Sequence, residues 1–237
     1  MAHMLEERGL ATTVLASVLP QVENTRPPRA VWSPFPPGRP LGEPNDAPFQ
    51  RRVLLQALRL LERTDGPVIL EHFPDDAPSM RDRDGWKPAV KLPEPPRPST
   101  PEDWADAFRD ELELVLPVWE NFETYFGRTT VGLSFQSVGD WPDFIAEVLA
   151  GRLPTVPEYE TTALAMRFLV DDIKAMYAEA AQSDGPAPSI GQIDRWFWRE
   201  TLAGQMLIAL RDVATKSENN ALKTVGGRFF VPAPYLP

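Results

Sequence analysis

Residues 5–61 read LEERGLATTVLASVLPQVENTRPPRAVWSPFPPGRPLGEPNDAPFQRRVLLQALRLL, and the order of patterns within this stretch decides the fold. Ala2 to Arg8 has the composition of a helix end, with Gly9 where a left-handed C-terminal residue is wanted. Thr12 to Val18 is β-branched and apolar, the pattern of a strand buried on both faces. A helix followed at once by a buried strand is the repeating step of a parallel α/β sheet. Arg29 to Ser33 and Pro67 to Glu71 are two further strand candidates, brief and flanked by proline, which suits sheet edges. Between them, Phe49, Val53, Leu54, Ala57, Leu58 and Leu61 share one helical face and Gln50, Arg51, Arg52, Arg59 and Arg63 occupy the others. The spacing predicts an amphipathic helix over 49–63, capped by Asn45 or Asp46.

Outside that helix, proline governs the first part of the chain. Between Pro20 and Pro101 lie 18 of the 27 prolines, each fixing φ and removing a donor, so long helices are excluded except where proline is absent. Residues 74–99 read as an extended surface arm. From Thr100 the pattern turns helical. Thr100-Pro101-Glu102-Asp103 supplies a cap and a first-turn proline, and Trp104, Phe108, Leu112, Val115, Trp119, Phe122 and Phe126 follow at three or four residues until Gly127. Arg128 to Ser134 reads as extended. Helices are expected from Asp140 to Ala150, from Tyr159 to Gln182 with a break at Ser183-Asp184-Gly185-Pro186, and from Ser189 continuously to about Lys216.

The fold class expected is therefore a small, incomplete, mostly parallel α/β sheet over residues 1–98, followed by a mainly α-helical domain over 99–237. Charge supports the division. Residues 1–98 hold 13 Lys+Arg against 13 Asp+Glu, so the remaining 11 basic and 21 acidic residues of the chain's 24 and 34 fall in 99–237.

A net charge of −10 argues against a nucleic-acid partner, whose affinity rests on clustered Lys and Arg. No apolar run is long enough to cross a bilayer, and Glu6, Glu7 and Arg8 ahead of Leu10 to Leu19 are the wrong start for an export signal, so a cytoplasmic location is expected. The chain has no Cys and only His3 and His72, which leaves neither a thiol nucleophile nor a conventional transition-metal ligand set. No cofactor motif is present, and none is expected.

Among residues that could act chemically, Glu200 stands out. On a helix numbered through Ile190, Ile193, Phe197, Gly204, Leu207 and Ile208 it falls in the apolar stripe with Arg211 farther along the same line, so it reads as a buried carboxylate, either an acid/base group or half of an ion pair. Asp171, Asp172 and Lys174 fall opposite their stripe, and the acidic run from Glu102 to Glu113 reads as a solvated face. Gly132-Leu133-Ser134-Phe135-Gln136 lacks the second glycine of a nucleophile elbow. The loop from Arg26 to Asn45 presents Arg26, Arg29, Arg39, Gly38, Gly42 and Asn45 in a proline-stiffened frame at a strand end, suited to a carboxylate or phosphate. Arginines paired to Glu23 and Glu43 in a rigid crossover are the other reading.

With strand, loop and helix in place, this stretch resembles the B component of the glycine, sarcosine, betaine and D-proline reductase family. There a helix ending in Glu-x-x-Gly leads into an apolar strand, an Arg-bearing turn, a Pro-x-Gly-type loop and an Arg-rich amphipathic helix. The matching residues are Glu6 to Gly9, Leu10 to Leu19, Arg29, Pro40 to Pro44 and Arg51 to Leu61. The resemblance implies a Cys or selenocysteine cluster immediately before the first helix, where this chain begins. A chain without Cys cannot supply that nucleophile, so the expectation is a second polypeptide carrying the cluster and docking beside Thr12 to Val18. This subunit would lend the Arg29/Arg39 loop to an active site for a small anionic substrate. A non-catalytic scaffold, and a cysteine-free enzyme using Glu200, are the alternatives.

Overall fold

A computed structural model describes residues 1–36, 38–182 and 187–236. The chain forms two compact units, Met1–Asp82 and Arg83–Pro237. The division falls upstream of the one expected near residue 98, for a packing reason. Val90 is buried in the helical core and Trp86 and Leu92 pack against it, so this part of the expected arm belongs to the second unit.

The first unit is built on a three-stranded parallel sheet in the order β1-β2-β3, with β1 at Val14–Ala16, β2 at Arg29–Trp32 and β3 at Ile69–His72. Its register sets Leu15 beside Val31 and Trp32 beside His72. The expected burial is inverted. Ala30 and Val31 of β2 are fully buried, whereas every residue of β1 is only half-buried. The prolines that suggested edges, Pro27, Pro28 and Pro34, lie outside the paired residues and cost the ladder nothing.

Helix α1, Ala2–Glu6, leads to Gly9 at φ 81°, as its position requires. Helix α2, Leu19–Thr25, was not expected; Pro20 sits in its first turn, where the missing N–H is no loss. Helix α3 spans Ala47–Arg59, with Asp46 as its cap accepting the Phe49 N–H at 2.9 Å, and a 3-10 turn continues it through Leu60–Glu62. It covers Val31 and Ile69 with Phe49, Val53, Ala57 and Leu60. Phe35, Phe49 and Phe73 meet there with centroids 5.6–5.7 Å apart. Leu54, Leu58 and Leu61 were assigned to this buried face and instead remain exposed.

The second unit contains α4 (Pro101–Phe126), α5 (Trp141–Leu149), α6 (Thr162–Ala181), α7 (Ile190–Glu200), α8 (Leu202–Lys216) and α9 (Asn220–Val225). The Thr100 capping box and Gly127 at φ 63° bound α4 as its sequence requires. Met166, Leu169, Val170, Ile173, Met176, Tyr177 and Ala180 of α6 are all buried, in the stripe their spacing demands. The break expected at residues 183–186 lies outside the described residues.

The helix expected to run unbroken to Lys216 divides at Thr201, whose ψ of 148° ends α7 and whose hydroxyl caps α8 by accepting the Gly204 N–H at 3.0 Å. Gly204 makes the close junction feasible. A Cβ there would stand 2.2 Å from the Phe197 carbonyl oxygen.

Candidate functional site

The residues of the Glu-x-x-Gly to Arg29 signature converge. Both carboxylate oxygens of Glu6 accept from Nη1 of Arg29, at 2.6 and 2.7 Å, and Oε1 also accepts from the Thr12 N–H at 2.6 Å and its hydroxyl at 2.9 Å. Arg29 foremost, then the Thr12 amide, hold the Glu6 carboxyl below its ordinary range. One ion pair thus ties α1 to the start of β2 and fixes the turn into β1.

The loop arginines, however, do not form one anion frame. Arg26 is the left-handed cap of α2 at φ 43° and Arg29 opens β2, so both lie at the amino end of the strand. Arg39 and Gly38 follow the carboxyl end and are exposed. Gly42 is a packing residue. At φ 79°, its absent Cβ would stand 2.6 Å from the Phe49 ring and 3.0 Å from that of Phe35. Asn45 is exposed at φ 60°, and the cap role falls to Asp46. Glu43 accepts the Ser79 N–H at 2.6 Å instead of pairing with an arginine.

What the sheet leaves open is its first edge. Among the described residues β1 pairs only with β2. Along it runs a groove of about 350 Å³ lined by His3, Val14, Ala16, Ser17, Val18 and Gln21, among others. Near the edge, the Thr13 hydroxyl is buried without a protein partner. At the carboxyl end of β2, where parallel sheets bind ligands, the Ser33 hydroxyl and the Trp32 indole N–H are in the same position. The Trp32 ring meets that of His72 edge-on at 4.9 Å.

The second unit holds buried acids that sequence reasoning missed, while Glu200, selected for burial, is exposed at the end of α7. Its assignment assumed one continuous helix, and the break at Thr201 removes that phase relation. Glu111 of α4, placed on the solvated face, is 6 % exposed. It accepts the Tyr177 hydroxyl at 2.7 Å and the first amides of α8, Leu202 at 2.7 Å and Ala203 at 2.9 Å. Burial raises its pKa, against the pull of these donors, and burial together with Glu111 raises that of Tyr177. Asp172, also read as solvated, is fully buried and accepts the amides of Gly132, Leu133 and Ser134 at 3.0, 2.9 and 2.8 Å and the Ser134 hydroxyl at 2.7 Å.

Two turns along α6, Glu179 accepts the Trp119 indole at 2.8 Å, both hydroxyls of Thr129 and Thr130 at 2.7 Å and the Thr130 amide at 2.7 Å. Seven residues apart on one helix face, Asp172 and Glu179 grip successive parts of the 129–134 loop, which for that reason is not a strand. The one legible signal was the reach of consecutive loop amides and hydroxyls for an acceptor. Asp172 and Glu179 each accept four protein donors and Glu111 accepts three. Among the described residues no group of His, Asp and Glu is arranged to hold a metal ion, and no helix is long and apolar enough to cross a membrane.

Compared with protein-family models, curated proteins and solved structures, the chain finds no match.

Proposed function

We propose that this chain is a subunit of a thiol- or selenol-dependent reductase whose nucleophile is supplied by a second polypeptide docked along the outer edge of β1, between Thr12 and Val18. The observation that carries the reading is that edge itself: a half-buried strand, hydrogen-bonded on one side, with a groove along it. A strand left in this state is a ready template for another chain. The meeting of Glu6 with Arg29 supports the resemblance, because it gives two signature residues one physical task. With Arg29 so engaged and exposed Arg26 at the amino end of β2, Arg39 beside Gly38 is the exposed loop arginine past the strand's carboxyl end, where a small anionic substrate would sit.

The absence of Cys makes the test clean, since one engineered thiol is unique. Ser17→Cys carrying a photo-crosslinker is expected to capture a protein with a Cys or selenocysteine cluster, and Arg39→Ala to raise the KM of the reconstituted pair for an anionic substrate. Turnover by the purified chain alone, or crosslinks to no such protein, overturns the proposal. A scaffold without chemistry is the second reading, favoured by the engagement of both oxygens of each buried acid with protein donors.

A further inference from the structure

Helix α3 is apolar on two sides, and only one meets the sheet. Leu54, Leu55, Leu58 and Leu61 are 41 %, 38 %, 52 % and 37 % exposed. The intervals of four and three from Leu54 to Leu58 to Leu61 make a seam of the kind that packs helix on helix, with Leu55 on its shoulder. A leucine seam of this width on a surface helix marks an interface.

The charges around the seam say what covers it. Arg51 lies one turn before Leu54 and Leu55, Glu62 one turn after Leu58, and both are exposed. Neither takes part in an ion pair among the described residues. Arg52 is bound to Asp75 and stacks 5.4 and 5.5 Å from the centroids of Phe49 and Phe73, while Arg63 is bound to Asp65 and Glu71. The seam therefore has an unpaired cation, Arg51, at one end and an unpaired anion, Glu62, at the other, with exposed Arg59 on its flank.

We propose that two copies of this chain pair through α3 in antiparallel fashion. With the two-fold axis near residues 56–57, Leu54 and Leu55 meet the partner's Leu58, and Arg51 meets the partner's Glu62, and the reverse at the other end. Two-fold pairing demands this self-complementarity. A parallel pair would set Arg51 against Arg51 and Glu62 against Glu62, which like-charge repulsion disfavours. Arg59, on the flank, lays its methylenes over the partner's Leu54 and keeps its charge in water. Four partly exposed leucines a side make a small interface, so the dimer is weak, with a Kd on the order of 10 µM. This inference stands on α3 and is independent of the partner proposed at β1.

Sedimentation equilibrium of the purified full-length chain tests it. The wild type is expected to pass from monomer to dimer across that concentration range. Arg51→Glu and Glu62→Arg, each alone, are expected to weaken association at least about tenfold, a shift of about 1.4 kcal/mol, and the double exchange to restore it. Leu58→Glu is expected to leave a monomer; should that variant fail to fold, the exposed charge pair still decides. A wild type monomeric at about 500 µM overturns the proposal, as does a double exchange that fails to restore pairing. If the chain alone stays monomeric while Arg51→Glu and Leu58→Glu both release an acidic helical protein, the seam serves that other class of partner and self-pairing is refuted.

Discussion

The sheet unit, Met1–Asp82, and the helical unit, Arg83–Pro237, both carry surface ion pairs, but they differ in their buried carboxylates. In the sheet unit acids meet arginines at or near the surface, as Glu6 does Arg29, Asp75 does Arg52 and Glu71 does Arg63. In the helical unit Glu111, Asp172 and Glu179 are buried and meet N–H and O–H groups. A buried carboxylate with several donors organises a loop or helix end that no backbone ladder reaches, and removal strands all those donors together. By this means the helical unit fixes the 129–134 loop and the start of α8. The sheet unit leaves one edge of β1 unpaired among the described residues and a row of leucines on α3 exposed.

Substitutions of the buried acids press this contrast hardest. Asp172→Ala orphans three amides and a hydroxyl and is expected to cost about 4 kcal/mol in chemical denaturation, with amides 132–134 losing hydrogen-exchange protection first. A loss below about 1 kcal/mol would mean that water replaces the carboxylate without penalty and would erase the distinction between the units. Glu111→Ala frees the start of α8 and the Tyr177 hydroxyl, for an expected loss of about 3 kcal/mol. Gly204→Ala forces a methyl into the Phe197 carbonyl, and separation of α7 from α8 is expected to cost about 2 kcal/mol by thermal unfolding.

Acidity sharpens the comparison, because the two units respond with opposite sign. Burial raises the pKa of Glu111, so the folded chain retains a proton that the unfolded chain has released. The associated stability is full below the unfolded value and lost as pH rises through the folded one. Glu111→Gln has no such loss, so its stability relative to wild type should improve as pH rises above the ordinary carboxylate range. Glu6 is lowered by Arg29, so its contribution is present above the unfolded value and lost as pH falls through the folded one. Protection of β2 amides, corrected for intrinsic exchange, should fall on acidification in wild type and stay flatter in Glu6→Gln. This is the smallest expected effect.

Periodicity and punctuation made much of the fold legible. The α6 stripe, the Thr100 and Ser189 capping boxes, Gly9 and Gly127 as left-handed ends, and a parallel sheet ahead of a helical unit all follow from local rules. Glu200 was misplaced because helical phase holds only while the helix is unbroken, and Thr201, a capping residue type followed by Gly204, was read as helix interior. Glu111 and Asp172 looked solvated because a carboxylate's natural partner in sequence reasoning is a cation or water. Their actual partners are backbone amides, invisible to residue type.

By itself, then, the sequence determined that a parallel sheet precedes a helical unit, where α4 begins and ends, and which stripe of α6 is buried, since these depend on neighbours within a turn or two. Only the tertiary structure decided which acids are buried, which strand lies at the centre and which side of α3 stays bare. Those outcomes depend on groups distant along the chain, such as Glu111 and Leu202, arriving at the same place.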